Sequence, residues 1–184
     1  MRLTPLSPDA TLPEVVATVN DILRVLEPSP PFEYIVEKLP QHPTKRYNSR
    51  DIDIISQVVI HHVGVNAVVP PQNTAAYHVR KGWPGIGYHF YVRTDGSAYQ
   101  TQGLETVSWH CGGSCNTISV GICLEGSFVG NRVPPDAQLA ATRDVIRWLL
   151  WQLELPESAV VGHKDVRATR CPGDTWPQWR GAIV

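Results

Sequence analysis

Hydrophobic and polar residues follow two different periods along this chain. Val58, Val59 and Ile60 form a β-branched run that ends in His61-His62, and the composition predicts a strand over Gln57 to His62. Successive side chains of a strand point to opposite faces, so His61 and His62 cannot readily serve one site together. A helical period appears earlier, at Val15, Val16, Val19, Ile22, Leu23 and Leu26, opened by Thr11-Leu12-Pro13-Glu14 with its Thr cap and Glu three residues on. Asn73-Thr74 predicts a short helix to about Lys81, closed by Gly82. Tyr88 to Arg93 and Ser97 to Gln102 flank Asp95-Gly96, a hairpin signal.

The remaining elements complete an alternating order. Ile118 to Leu124 reads as a strand with Ile118, Val120, Ile122 and Leu124 on one face. Its other face, Ser119, Gly121 and Cys123, is unusually small and leaves room for something to approach. Asp136 to Leu153 is the longest helical stripe, and Val160-Val161 a last short strand leading into His163. Strands alternating with helices predict an α/β fold with a mixed sheet flanked by helices, because the hairpin is antiparallel. Between Glu27 and Arg50 five prolines argue against regular structure. Residues 1–50 are therefore expected to be an N-terminal helix and a linker or surface-wrapping segment, and 51–184 the compact domain.

Composition narrows the function. A net charge of −1 over 184 residues gives no field for collecting nucleic acid. No apolar run reaches the roughly 18 residues of a membrane span. No continuous apolar segment follows Arg2, so no secretory signal is visible. The expectation is cytoplasmic synthesis, or a leader already removed, and a monomer. Four cysteines without a C-x-x-C pair fit neither a disulfide scaffold nor a zinc finger. Cys111 and Cys115 are compatible with a small disulfide or with two free thiols.

His61 ends one strand, His163 follows another, and Cys171 lies eight positions further. Two imidazoles and a thiolate suit zinc, and three protein ligands leave a fourth position open. A metal that only staples the fold would normally have a fourth protein ligand, for which His110 or the Cys111/Cys115 pair are the candidates.

The ordered segments VVIHHVGV, GIGYHFYVRTDGSAYQ, VSWHCGG, NTISVGICLEGSF and VVGHKDVRATRCPG resemble the type-2 N-acetylmuramoyl-L-alanine amidases. That superfamily includes the peptidoglycan recognition proteins and the amidase endolysins of phages. The resemblance covers residues from about 55 to 180 and implies a Zn2+ enzyme acting at the cell wall, with peptidoglycan as substrate. The bond cut would be the amide between the lactyl group of N-acetylmuramic acid and L-alanine. It implies His61, His163 and Cys171 as metal ligands, leaving His62 packed inside the fold. Tyr88 matches the tyrosine that active members place beside the metal, and Thr169 a position held by Lys or Thr, from which a hydroxyl reaches the developing oxyanion. A zinc-bound hydroxyl, Tyr88 and His110 all remain open as donors to the leaving amine. His110 and Asn116 match the groove wall, and Trp83 offers a flat ring to a sugar or to the core. Cys123 stands where a more distant branch has a catalytic Glu, and Glu125 reads as a polar residue ending its strand. The alternative is a module of the same fold that holds peptidoglycan without cutting it.

Overall fold

The computed structural model describes residues 10–16, 18–19 and 28–184. Its sheet has six strands: β1 (Glu33–Tyr34), β2 (Gln57–His62), β3 (Phe90–Val92), β4 (Ala98–Gln100), β5 (Ser119–Leu124) and β6 (Val160–Gly162). They lie in the order β1-β4-β3-β5-β2-β6. All neighbours are parallel except the β3–β4 hairpin. The hairpin turns at Gly96 (φ +88°), where Asp95 Oδ1 accepts the Ser97 N–H. The fold is thus the α/β class, with the mixed sheet that the hairpin required.

Each face of the sheet has its own cover. On the back, Val58, Ile60, Phe90, Val92, Val120, Ile122, Leu124 and Val160 pack with α3 (Asp136–Gln152) through Val145, Ile146 and Leu149. On the front, Tyr91 and Cys123 pack with Ala75 of α1 (Pro71–Arg80) and with Ile35, Leu39 and Ile86. Short α-helices among the residues described after 28 are α2 (Ser114–Ile118), α4 (His163–Val166) and α5 (Trp176–Trp179). Trp176 and Trp179 meet edge to face at 4.7 Å and close the C-terminal end over the back core.

Several boundaries differ from those read in the sequence. α1 begins two residues before Asn73, at Pro71, because Pro at the first helical position supplies the right φ and has no N–H to satisfy. Ile118 closes α2 instead of opening β5. Near the N-terminus, Glu14 Oε2 accepts both the Thr11 N–H (2.8 Å) and the Thr11 hydroxyl (2.7 Å), which opens a helical turn over residues 12–16. Ile22, Leu23 and Leu26 lie outside the described residues.

Residues 28–50 are more than a solvated linker. Phe32 sits between Phe90 (5.0 Å) and Trp148 (4.9 Å) on the back of the sheet. β1 then adds a strand to the edge at β4, and Ile35 and Leu39 are buried on the front. The prolines prevented a strand signal, but two paired residues suffice when flanking side chains anchor both faces. Arg50, also buried, donates from Nη1 to the carbonyls of Asn116, Thr117 and Ser119 at 2.8–2.9 Å. Phe32→Ala is therefore expected to lower the unfolding free energy by about 2–4 kcal/mol in urea titration. A change below about 0.5 kcal/mol would be the behaviour of a solvated linker.

Candidate metal centre

Parallel pairing of β2 with β6 sets Ile60 opposite Gly162. The next residues are His61, still within β2, and His163, the first residue of α4, so the two imidazoles come together at the end of that pairing, with ring centroids 4.5 Å apart. Asp165 fixes the start of α4: its Oδ2 accepts the Gly162 N–H (2.7 Å) and the Trp176 indole N–H (2.9 Å). From α4 the chain loops back to Cys171, and the loop is closed by the Lys164 N–H donating to the Cys171 carbonyl at 2.7 Å. The ligating atoms of His61, His163 and Cys171 all lie within 4.8 Å of one another.

These residues fit zinc. Tetrahedral zinc, with Zn–N of about 2.0–2.1 Å and Zn–S of about 2.3 Å, holds its N and S ligands about 3.6 Å apart. The observed separation of Cys171 Sγ and His61 Nδ1 is 3.6 Å. Burial, reinforced by His110 and His163, pushes His61 well below its usual pKa, and burial with the nearby Arg167 lowers His163. Both rings are therefore neutral near pH 7, the form that binds metal. Burial pushes the Cys171 thiol up to about 11, opposed by the His62 N–H donating to Sγ at 3.4 Å. A dication there would displace the thiol proton.

His62 points to the other face, as strand alternation demands. Its Nδ1 accepts the Phe128 N–H at 3.1 Å, and burial lowers its pKa to about 4. Tyr88 lies beside the candidate ligands, its ring 5.3 Å from that of His61. Burial, with the Cys123 and Cys171 sulfurs near it, pushes the Tyr88 hydroxyl well above its usual pKa, so it remains a donor. Thr169 is exposed, and its Oγ1 accepts the Cys171 N–H at 3.3 Å, which leaves its own hydroxyl hydrogen free to donate.

His110 and Asn116, matched to the groove wall, and Trp83, left open between sugar and core, each have partners within the protein. His110 turns inward, with Nδ1 3.0 Å from His61 Nε2 and Nε2 3.3 Å from Ser119 Oγ. Its ring lies directly over Gly121, where an added Cβ would come within 2.7 Å of it. The small face of β5 is thus filled by an imidazole. Asn116 Oδ1 accepts the N–H groups of His110, Cys111 and Gly112, so it shapes that loop from inside. Trp83 stacks on His78 at 4.4 Å, and Trp109 is the more exposed ring of the two.

Three other features escaped the sequence reading or stood open in it. His89, fully buried, accepts the Gly121 N–H on Nδ1 (3.0 Å) and donates from Nε2 to the Thr106 carbonyl (2.8 Å). Its partners are backbone atoms far along the chain, which leave no sequence mark. Cys111 and Cys115 form a disulfide. Glu125 is buried and occupied, accepting the Val69 N–H at 2.6 Å and both the N–H and the hydroxyl of Thr94 at 3.2 Å. A cavity of about 480 Å³ beside Glu125 and Phe128 contains none of the ligand residues.

Comparison with known proteins agrees with this geometry. The family model described as N-acetylmuramoyl-L-alanine amidase matches residues 49–174. Peptidoglycan recognition protein 1 of Bos taurus is 36 % identical over 118 residues, covering 59 % of this chain and 62 % of its own length. Among solved structures, the endolysin N-acetylmuramoyl-L-alanine amidase LysCS from Clostridium intestinale URNW superposes with a TM-score of 0.64 at 28 % identity. That match covers 79 % of this chain and 96 % of LysCS. The ectodomain complex of peptidoglycan recognition proteins LCa and LCx, solved with bound tracheal cytotoxin, gives a TM-score of 0.66 at 26 % identity, covering 78 % of this chain and 90 % of that one.

Because the His110 ring occupies the space above Gly121, Gly121→Ala is expected to destabilise the fold by about 1–3 kcal/mol through overpacking. Thermal or urea unfolding measures it, and an unchanged or raised stability would mean that the ring moves aside freely.

Proposed function

The chain belongs to the N-acetylmuramoyl-L-alanine amidase family, and on that basis we propose that it hydrolyses the amide joining the lactyl group of N-acetylmuramic acid to L-alanine of the peptidoglycan stem peptide. The convergence of His61, His163 and Cys171 on one point carries this reading. A neutral His pair with one thiol matches the donor set of a zinc site that keeps one position open for substrate or water. Zinc bound there supplies Lewis acidity, polarising the scissile carbonyl and making water nucleophilic near neutral pH.

The chain's own residues do the rest. The His62 N–H on Cys171 Sγ stabilises the thiolate, and the Lys164 N–H on the Cys171 carbonyl holds the ligand loop against α4. Tyr88, kept protonated by its surroundings, donates a hydrogen bond to the oxygen on which charge develops. Thr169, anchored through the Cys171 N–H, donates a second from the exposed rim. Action at the cell wall, in the manner of an endolysin, follows from the substrate. A module that grips peptidoglycan without cutting it shares the fold, and the recognition-protein relatives favour that second reading.

Digestion of purified peptidoglycan separates the two. Zinc-loaded protein is expected to release new L-alanine amino termini and no new reducing sugar ends, with activity lost on chelation and restored by zinc. Tyr88→Phe is expected to lower kcat by about 10²–10³-fold while the zinc stays bound. Retention of the protein on the wall without release of amino termini would establish the binding module instead.

A further inference from the structure

Behind the ligand triad a chain of hydrogen bonds runs from His61 to the Cys111–Cys115 loop. His61 presents Nδ1 toward Cys171 Sγ, and its Nε2 lies 3.0 Å from His110 Nδ1. On the far side of the ring, His110 Nε2 lies 3.3 Å from Ser119 Oγ, and the Ser119 hydroxyl donates to the Cys115 carbonyl. We propose that His110 and Ser119 form a relay that fixes the ring orientation and tautomer of His61, and that the Cys111–Cys115 disulfide, by holding the end of the relay, sets the affinity of the metal site.

The polarity of the chain supports this. An imidazole with Nδ1 on a metal carries its proton on Nε2. His61 Nε2–H then donates to His110 Nδ1, which leaves the His110 proton on Nε2 to donate to Ser119 Oγ. The Ser119 hydroxyl, having accepted one bond, passes its own hydrogen to the Cys115 carbonyl. Every group from ligand to disulfide is satisfied in one direction, and reversing any tautomer breaks a bond. Outer partners that orient a metal-bound histidine act in this way.

The disulfide loop is tied to the rest of the site from several sides. Ser119 Oγ lies 3.6 Å from Cys111 Sγ and 3.7 Å from Cys115 Sγ, so the hydroxyl rests against the bridge itself. Asn116 Oδ1 gathers three N–H groups of residues 110–112, and Arg50 holds the Ser119 carbonyl at 2.8 Å. Arg167, from the stretch between His163 and Cys171, donates to the carbonyls of Cys111 (3.0 Å) and Gly112 (2.7 Å). The loop therefore touches the site twice, through the relay to His61 and through Arg167 to the segment bearing the other two ligands. In this role His110 and Ser119 are positioning residues.

The inference rests on the zinc reading above, and the experiment distinguishes failure of one from failure of the other. Zinc affinity of the full chain is measured by competition with a chromophoric chelator. The proteins are the wild type, His110→Ala, Ser119→Ala, the paired Cys111→Ser/Cys115→Ser variant, and the paired variant combined with Ser119→Ala. Circular dichroism and urea unfolding of the zinc-free proteins establish that each is folded. His110→Ala and Ser119→Ala are expected to bind zinc about 10–100-fold more weakly. The paired cysteine variant is expected to weaken binding too, and to cost less in a Ser119→Ala background than in the wild type, since the relay is the path the two changes share and only the Arg167 contact is left for the loop to act through.

Folded His110→Ala and Ser119→Ala proteins with wild-type affinity would overturn the relay alone. Losses that simply add would overturn its link to the disulfide. A wild type that binds no zinc would overturn the relay and the zinc reading together. Nitrogen-15 imidazole spectra of zinc-loaded wild type give a check that needs no variant. Nε2–H tautomers are expected for both His61 and His110, and Nδ1–H on His110 would overturn the proposal.

Discussion

The parallel rung that sets Ile60 beside Gly162 governs everything the site can do. Because β2 and β6 run in the same direction, the residues after that rung, His61 in β2 and His163 at the start of α4, lie side by side at the carboxyl end of the sheet. Sites in parallel sheets gather there for this reason: strand ends converge while the connecting loops remain free to vary. A slip of one residue in β2 would bring His62 to the front and bury His61 against Phe128. The apolar back of the same strand prevents that slip, since Val58 and Ile60 are fully buried against α3. Packing on one face thereby dictates ligand choice on the other.

The front face is built around polar side chains that serve backbone groups. Arg50 gathers three carbonyls, Asn116 three N–H groups, and Glu125 the N–H groups of Val69 and Thr94. Buried polar groups are tolerated when such needs are met, and each then fixes a loop that has no regular structure of its own. The loops carrying His110 and Cys171 are held in this way, so the site depends on tertiary hydrogen bonds more than on helices or strands.

What the sequence disclosed follows from that division. Period-two alternation separated His61 from His62, because it depends only on neighbouring residues. The candidate triad was suggested by the residue types and spacing of His61, His163 and Cys171, and singled out by the family resemblance; the fold brings the three together. The small face of β5 announced a space but not its occupant: only the fold reveals that the His110 ring lies over Gly121. His110 and Asn116, matched by the resemblance to a groove wall, and Trp83, left open between a sugar and the core, all make contacts inside the protein that the sequence could not show, because side-chain direction at loop positions is set by distant partners such as Ser119 and His78. β1 was hidden by its prolines, since its two paired residues carry no periodicity and its stability comes from Phe32, Ile35 and Leu39 on either side.

That N-terminal strap also decides how the sheet presents its border to other molecules. β4 would otherwise offer an open row of N–H and C=O groups beside exposed aromatic surface, the arrangement through which sheets of different molecules join. With β1 in place the outermost strand has only two residues, follows Pro30 and Pro31, and carries the Glu33–Lys38 ion pair beside it. A short, charged, proline-flanked border is a poor template for another strand. Cutting the chain at residue 49, where the family match begins, would keep the residues around His61 and His163 but strip this border, yielding a protein prone to self-association at the edge farthest from β6.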